Sequence, residues 1–476
     1  MVGVIPAAGR GTRAYPYTKG IPKCMLEIAG EPNLARVIAI MRDQLGITDI
    51  VVVIGAFGGV ITEYFGDGTR FGVRLTYVQN DAVEKGLSYS ILLSRPYVRD
   101  YFCVILGDEC YVDSNHDELL STDYRDQLAV CGVAVGADRE TIAENYAVFV
   151  ANGRVARIVE KPTRTDDALL GLGTFLFSPA FYDHLERALA SDDGQPNDPV
   201  SVLGQLCAAG AAVAPFYVRG LYVNVNGRDA LNLASYLVRT RHFAERTVAL
   251  VLLLKGPLEI TQHTLSEFRR ALPFREIVLV VPPAGGPPPG AIGGVRCINA
   301  PSGQYGDMMR AGLDAVDADI LIAAQTDGSC SPSDAAKFLE YLKDADMVVG
   351  TRTTRQLIQQ GTNMRGVVRV AHVVLAKLLE LFWWSYEPRF TDVGCAYRAI
   401  WASTYRLIRP TLRSSGAQYA VEMLVETLKC RRRVIEIPVS FRLPRKGVRE
   451  RDQTVGTFAA LLWTILTRRF ISAHRR

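Results

Sequence analysis

Metal-binding and disulfide chemistry have little to build on in this chain. There are nine cysteines and six histidines, no Cys-x-x-Cys pair, and no His/Cys grouping at zinc spacing. That excludes a disulfide-stapled scaffold and a zinc module, and the thiols read as reduced and mostly buried. No run of 18 apolar residues occurs, so no membrane span is expected. The opening MVGVIPAAGRG has no basic stretch followed by a long apolar one, so no secretory signal is expected. With reduced thiols this points to the cytoplasm. A net charge of +5 is too small for a uniformly basic nucleic-acid binder, and no aromatics interleave the basic tail as stacking platforms would. No nucleic-acid partner is expected. Short-period repeats are absent too.

What remains is an ordinary globular composition, 49% apolar and 22% charged over 476 residues. That length allows two or three domains. Apolar runs at 2–6, 50–55, 75–79, 102–106 and 128–135 read as strands, and 34–45 and 88–93 as helices. The pattern restarts with strands at 247–254, 277–281, 320–324 and 347–350 and helices at 308–315 and 335–342. Alternation of this kind predicts mostly parallel, helix-covered sheets. The expected class is α/β, as two tandem domains over residues 1–243 and 244–476.

Charge is unevenly placed. Residues 429–476 hold 13 Lys/Arg against Glu436, Glu450 and Asp452, a balance of +10, so the first 428 residues sum to −5. A basic end on an acidic body points to an anionic partner there, either phosphate groups or a membrane surface.

The sharpest signal follows the first strand. Ala7-Ala8-Gly9-Arg10-Gly11-Thr12-Arg13 is a glycine-rich loop, with Pro22-Lys23 shortly after. Glycines let backbone N–H groups approach an anion closely, and Arg13 and Lys23 add positive charge for a polyphosphate. Loops at the carboxyl ends of strands are where open α/β sheets bind ligands.

The string from Gly9 to Lys23, with Met25-Leu26-Glu27-Ile28-Ala29-Gly30-Glu31-Pro32 behind it, resembles the signature of the sugar-phosphate nucleotidylyltransferases. Gln79 and Gly86-Leu87 resemble the base-reading segment, Gly107-Asp108-Glu109 the metal-binding segment, and Glu160-Lys161-Pro162 the sugar-phosphate contact. The resemblance spans about residues 1–240. It implies a Rossmann-like nucleotidyltransferase fold and attack of a sugar 1-phosphate on an NTP, with pyrophosphate leaving. It also implies roles: Ala8, Gly9, Gly11, Thr12, Gln79 and Gly86 on the nucleotide, Arg13 on the leaving phosphates, Lys23 at the α-phosphate, Glu160 and Lys161 on the sugar phosphate, and Asp108 on Mg²⁺. Gln79 and Gly86 suit a pyrimidine without separating UTP, dTTP and CTP. A second metal-binding Asp is often found near the domain end; here Asn224 stands at that position, with Asn226 close by. Ala147 replaces a glycine common beside the sugar. CTP with a non-sugar phosphate or phosphonate is the alternative substrate pair.

The second half resembles GT-A glycosyltransferases of family 2, those like dolichol-phosphate mannosyltransferase. The carriers are Thr391-Asp392-Val393-Gly394-Cys395-Ala396-Tyr397-Arg398, Gly350-Thr351-Arg352, and Ile435 to Phe441 leading to Pro444-Arg445-Lys446-Gly447. By that resemblance Asp392 is the base, Asp327 a ligand for Mg²⁺ or Mn²⁺, and Arg445 and Lys446 the grip on an acceptor phosphate such as polyprenyl phosphate. The expected donor is an NDP-sugar. Gln325 replaces the first Asp of the usual Asp-x-Asp, and Leu253-Leu254-Lys255-Gly256 stands where Pro-x-Tyr-Asn-Glu is usual. A bifunctional enzyme at the inner face of the membrane is one expectation. An active first domain with an inactive docking domain is the other. Residues 367–386 and 455–466 suit helices lying in a membrane interface, or core helices.

Overall fold

The computed structural model describes residues 1–9, 11, 14–15, 17–121, 123–190, 198–283, 292–293, 295–357, 359, 364, 366–443 and 455–470. Its contacts divide the chain into two compact units, Met1–Val238 and Arg239–Arg476.

In the first unit a nine-stranded sheet is built around Val2–Ala7, which pairs in parallel with Asp49–Ile54 on one side and Phe102–Ile105 on the other. Arg74–Gln79 extends the parallel half beyond Asp49–Ile54. The three inner strands are buried on both faces, which is why they read as unbroken apolar runs. Ile50, Val52 and Ile54 enter one core cluster and Val51 and Val53 the other. Parallel pairing puts the ends Ala7, Ile54, Gln79 and Ile105 on one edge of the sheet.

The sheet is mixed rather than mostly parallel as expected. Leu169–Phe177 runs antiparallel to Phe102–Ile105, with Thr174 opposite Ile105. Its first residues therefore overrun the carboxyl edge. The hairpin Tyr146–Ala151 and Arg154–Glu160 pairs with that overhang through Leu169 and Leu170. The hairpin thus stands beside the edge where the parallel strands end. Its turn is Asn152-Gly153, both at positive φ (51° and 74°), as a two-residue hairpin turn requires. Ala129–Ala134 and Val213–Tyr217 complete the sheet as a parallel pair. A separate two-stranded ribbon pairs Glu109–Val112 with Leu221–Asn224.

The second unit holds a seven-stranded sheet in the order Arg296–Asn299, Glu276–Val281, Val248–Leu253, Ile320–Gln325, Arg398–Trp401, Met347–Thr351, Val434–Pro438. The first four are mutually parallel and Arg398–Trp401 is reversed. Helix Tyr305–Asp314 packs tightly because Gly312 has no side chain: a Cβ there would lie 2.3 Å from Val251 Cγ1.

Gly171 is the corresponding tight point of the first unit. A Cβ on it would fall 1.8 Å from the ring of Tyr146, whose hydroxyl donates to the Leu172 carbonyl. Gly171→Ala is expected to cost about 1–3 kcal/mol by overpacking, read as a lower thermal midpoint with the hairpin's amide protection lost first.

Candidate functional site

Three segments far apart in sequence meet at the carboxyl edge of the first unit. The Lys23 ammonium donates to Asp108 Oδ2 at 2.6 Å and to Asn226 Oδ1. Lys23 opens a 3₁₀ turn, Lys23–Met25, after Pro22. Gly107 lets the Asp108 loop approach that turn, since a Cβ there would sit 2.9 Å from Cys24 Cβ. The ribbon then brings in the third segment, with Asn224 opposite Glu109 and Val225 N–H donating to the Asp108 carbonyl at 2.9 Å.

The glycine loop lies against this group. Gly11 has φ +63° and a Cβ there would be 3.2 Å from Lys23 Cβ. Thr18 Oγ1 donates to the Gly11 carbonyl at 2.8 Å, and the Ala14 N–H donates to the same oxygen at 3.1 Å. Ala8 is buried, while Gly9 is exposed with open space where a side chain would project. Thr12 and Arg13 lie outside the described residues. Gln79 and Gly86 are exposed on the same edge. The turn between them is held by Asn80, whose amide donates to Ser90 Oγ and whose carbonyl accepts from Ala82 N–H, both at 2.9 Å. On the hairpin side Glu160 and Lys161 are exposed. Lys161 has φ 44° and its N–H donates to the Asn145 carbonyl at 2.8 Å. Burial and the neighbouring Asp198 raise the Glu160 carboxyl above its ordinary range.

The family model described as nucleotidyl transferase matches residues 2–222. Over this match the first unit resembles nucleotidyl transferases. It is 29% identical over 197 residues to the UTP–glucose-1-phosphate uridylyltransferase AglF of Haloferax volcanii, covering 41% of this chain and 79% of that protein. It is 30% identical over 210 residues to a UTP–glucose-1-phosphate uridylyltransferase of Synechocystis, covering 41% of this chain and 53% of that one. A glucose-1-phosphate thymidylyltransferase of Streptomyces antibioticus is 25% identical over 246 residues, 52% of this chain and 67% of that protein. A structure of UDP-glucose pyrophosphorylase with UDP-glucose is similar at TM-score 0.43 and 22% identity, covering 52% of this chain and 99% of that one. The matched segment 2–222 lies within the first unit, so the second stands on its own residues.

In the first unit, three positioning residues were given no role of their own by the sequence reading. Asn33, 1% exposed, donates from one amide nitrogen to the carbonyls of both Gly107 and Glu109, at 2.9 and 2.8 Å. It fixes the backbone on either side of Asp108. Asn145 links Lys161 to Asn224, whose Nδ2 donates to Asn145 Oδ1 at 3.3 Å. Glu109 is buried beneath the site and accepts from Gly173 N–H at 2.8 Å, from Tyr222 OH at 2.9 Å and from Tyr111 OH. Burial pushes its carboxyl up to about 7.

Mg²⁺ fits this donor set. Asp108 is 31% exposed at the side chain, Asn226 Oδ1 is adjacent through Lys23, and Asn224 Oδ1 is buried with no donor. One carboxylate and two amide oxygens are hard donors of the kind Mg²⁺ takes. Among the described residues no group of three His, Cys, Asp or Glu could hold a metal, so the amides are needed.

The second unit answers differently. Asp327 is 1% exposed. Lys255 Nζ sits 2.7 Å from its Oδ2 and 3.2 Å from Gln325 Oε1. Ser329 donates to Oδ1 from its N–H at 3.0 Å and its hydroxyl at 2.6 Å. A carboxylate this buried, with both oxygens taken, does not fit a divalent cation. Asp392 is equally enclosed: Arg352 reaches it at 2.7 and 2.9 Å, and His372 Nδ1 lies 3.2 Å away. Burial alone would raise its carboxyl, but Arg352 and His372 hold it well below the usual range. In this arrangement it is a weak proton acceptor. Arg432 and Arg433 pair with Asp346 and Asp344 rather than with solvent. Arg445 and Lys446 lie outside the described residues.

Three outcomes follow from this geometry. Calorimetric titration with Mg²⁺ is expected to give one site per chain. Asn224→Asp tightens that site about tenfold by adding a charge, and Asn33→Ala weakens it about as much by freeing the Asp108 loop. In the second unit, burial raises the Glu436 carboxyl from 4.5 to about 7. The native state therefore binds that proton more tightly than the unfolded chain. Glu436 contributes stability that is full below about pH 4.5 and lost as pH rises through about 7. Unfolding midpoints of Glu436→Gln should be flatter across that window.

Proposed function

We propose that the first unit transfers a nucleotidyl group from an NTP, a pyrimidine nucleotide such as UTP, dTTP or CTP, to a sugar 1-phosphate, releasing pyrophosphate. The observation that carries this reading is Lys23 held between Asp108 and Asn226 beside a glycine loop on the carboxyl edge. The relatives named above, which act on glucose 1-phosphate with UTP or dTTP by their names, support the choice of substrate class.

Two anions have to meet, so the work of the site is positioning and charge neutralisation. The open backbone at Gly9 and Gly11 receives phosphate oxygens close to peptide N–H groups, and Arg13 holds the departing β- and γ-phosphates. Lys23 is fixed by two acceptors and keeps its charge directed at the α-phosphate. Lys161 holds the sugar phosphate from the hairpin side, with Glu160 beside it. Gln79 and Gly86 face the base. Mg²⁺, held by Asp108, Asn224 and Asn226, would neutralise phosphate charge.

For the second unit we weigh two readings, and the first is sugar transfer from an NDP-sugar to a lipid-phosphate or other acceptor at a membrane face. A second reading makes it a docking domain without catalysis. The enclosure of Asp327 by Lys255 and of Asp392 by Arg352 favours the latter.

Pyrophosphate release tests the first reaction. Purified protein with Mg²⁺ is crossed over five NTPs and a panel of sugar 1-phosphates. Release is expected with a pyrimidine nucleotide, and Lys23→Ala is expected to slow it by about 10²–10³-fold. Release only with CTP and a non-sugar phosphate would replace the substrate class; release with no pair would overturn the reading.

A further inference from the structure

The helix Val455–Phe470 contains no charged residue before Arg468. Packing settles which side faces inward. Leu461, Thr464 and Ile465 are buried, Phe458 meets His372 edge-on with ring centroids 5.3 Å apart, and Arg468 bonds the Thr411 carbonyl at 3.0 Å and the Glu426 carboxylate at 2.9 Å. What faces outward is therefore fixed too. Val455, Ala459, Leu462, Trp463 and Phe470 fall within about a third of the helix circumference, and Val455, Trp463 and Phe470 are 86%, 68% and 82% exposed. The helix Gly366–Phe382 packs beside it and exposes its own stripe of Val367, Val370, Val374 and Leu381, with the exposed Lys377 at the edge of the stripe and Trp384 next along the chain.

Two adjacent helices whose outer faces are both apolar make a surface that water does not cover favourably. Charge identifies the cover. Residues 442–454 carry five Lys/Arg against Glu450 and Asp452, and residues 468–476 carry four Lys/Arg and no acid. The uncharged helix is thus bracketed by cations at both ends. Arg389 stacks its guanidinium 5.6 Å over Trp384 at the end of the neighbouring stripe. Apolar face, tryptophans and flanking arginines together are the composition of a segment lying at headgroup level. Sixteen residues span about 24 Å, short of the roughly 30 Å hydrocarbon core, and no described helix is long and apolar enough to cross a membrane.

We propose that this face is a docking surface for an anionic lipid bilayer, with both helices in the plane of the interface. It deepens the membrane placement proposed for the second unit and rests on neither chemical reaction. The test uses the full chain with vesicles of phosphatidylcholine alone and of phosphatidylcholine mixed with phosphatidylglycerol. Cosedimentation is expected with the mixed vesicles, weakened by salt. L462E/W463E should lower it at least about tenfold with the thermal midpoint and pyrophosphate release unchanged. Should that variant misfold, Trp463→Phe serves instead: quenching of intrinsic fluorescence by brominated lipid should drop. No binding to the mixed vesicles, or equal binding by L462E/W463E, overturns the proposal. So does a dimer in size-exclusion chromatography that L462E/W463E dissociates, since a second copy would then be the cover. Vesicle binding without pyrophosphate release from any substrate pair would leave the surface standing and remove the proposed first reaction.

Discussion

The ion pair between Lys23 and Asp108 organises the first unit's edge. Its partners come from the first strand's loop and from the loop after Phe102–Ile105, and Asn226 joins them from the end of the unit. Close approach of these segments depends on Gly107 and Gly11, where side chains would push the Lys23 turn away. The buried support below is polar: Asn33 grips the backbone around Asp108, and Glu109 ties Tyr111, Tyr222 and Gly173 together. These bonds fix the backbone on either side of Asp108, with Asn33 Oδ1 left buried and unbonded.

Both units place a lysine against an aspartate and an amide on the carboxyl edge of a parallel core. The chemistry differs because burial differs. Asp108 is reachable and has an unsatisfied amide oxygen nearby. Asp327 is enclosed, and Ser329 fills its remaining oxygen. The same pair of residue types is therefore open to a ligand in one unit and closed as a structural tie in the other.

The strands of the parallel core were legible because burial on both faces requires unbroken apolar runs, as in Val2–Ala7 and Val248–Leu253. The hairpin was not, since Arg154 and Arg157 face solvent and break the pattern; Asn152-Gly153 was the signal available. Leu169–Phe177 hid behind two glycines, at which side chains would strike the Tyr146 ring and Leu106. For the site, Lys23 and Asp108 were named by motif and do meet. Asn33, Asn145 and Glu109 act through contacts across 64 to 79 residues, which no local spacing reveals. In the second unit Lys255 read as a lapse from a family pattern. Its partner Asp327 is 72 positions on, so its role is visible only in the fold.

The ribbon that carries Asn224 and Asn226 to Asp108 also orders events during synthesis. Asp108 and Asn224 are separated by 116 residues. At ribosomal speed that interval lasts roughly 6–23 s. Throughout it Asn226 is absent, and Lys23 and Asp108 have only each other. The ribbon forms only when the last strand of its unit leaves the exit tunnel, so a ribosome stalled before residue 221 would hold Lys23 and Asp108 without Asn224 and Asn226.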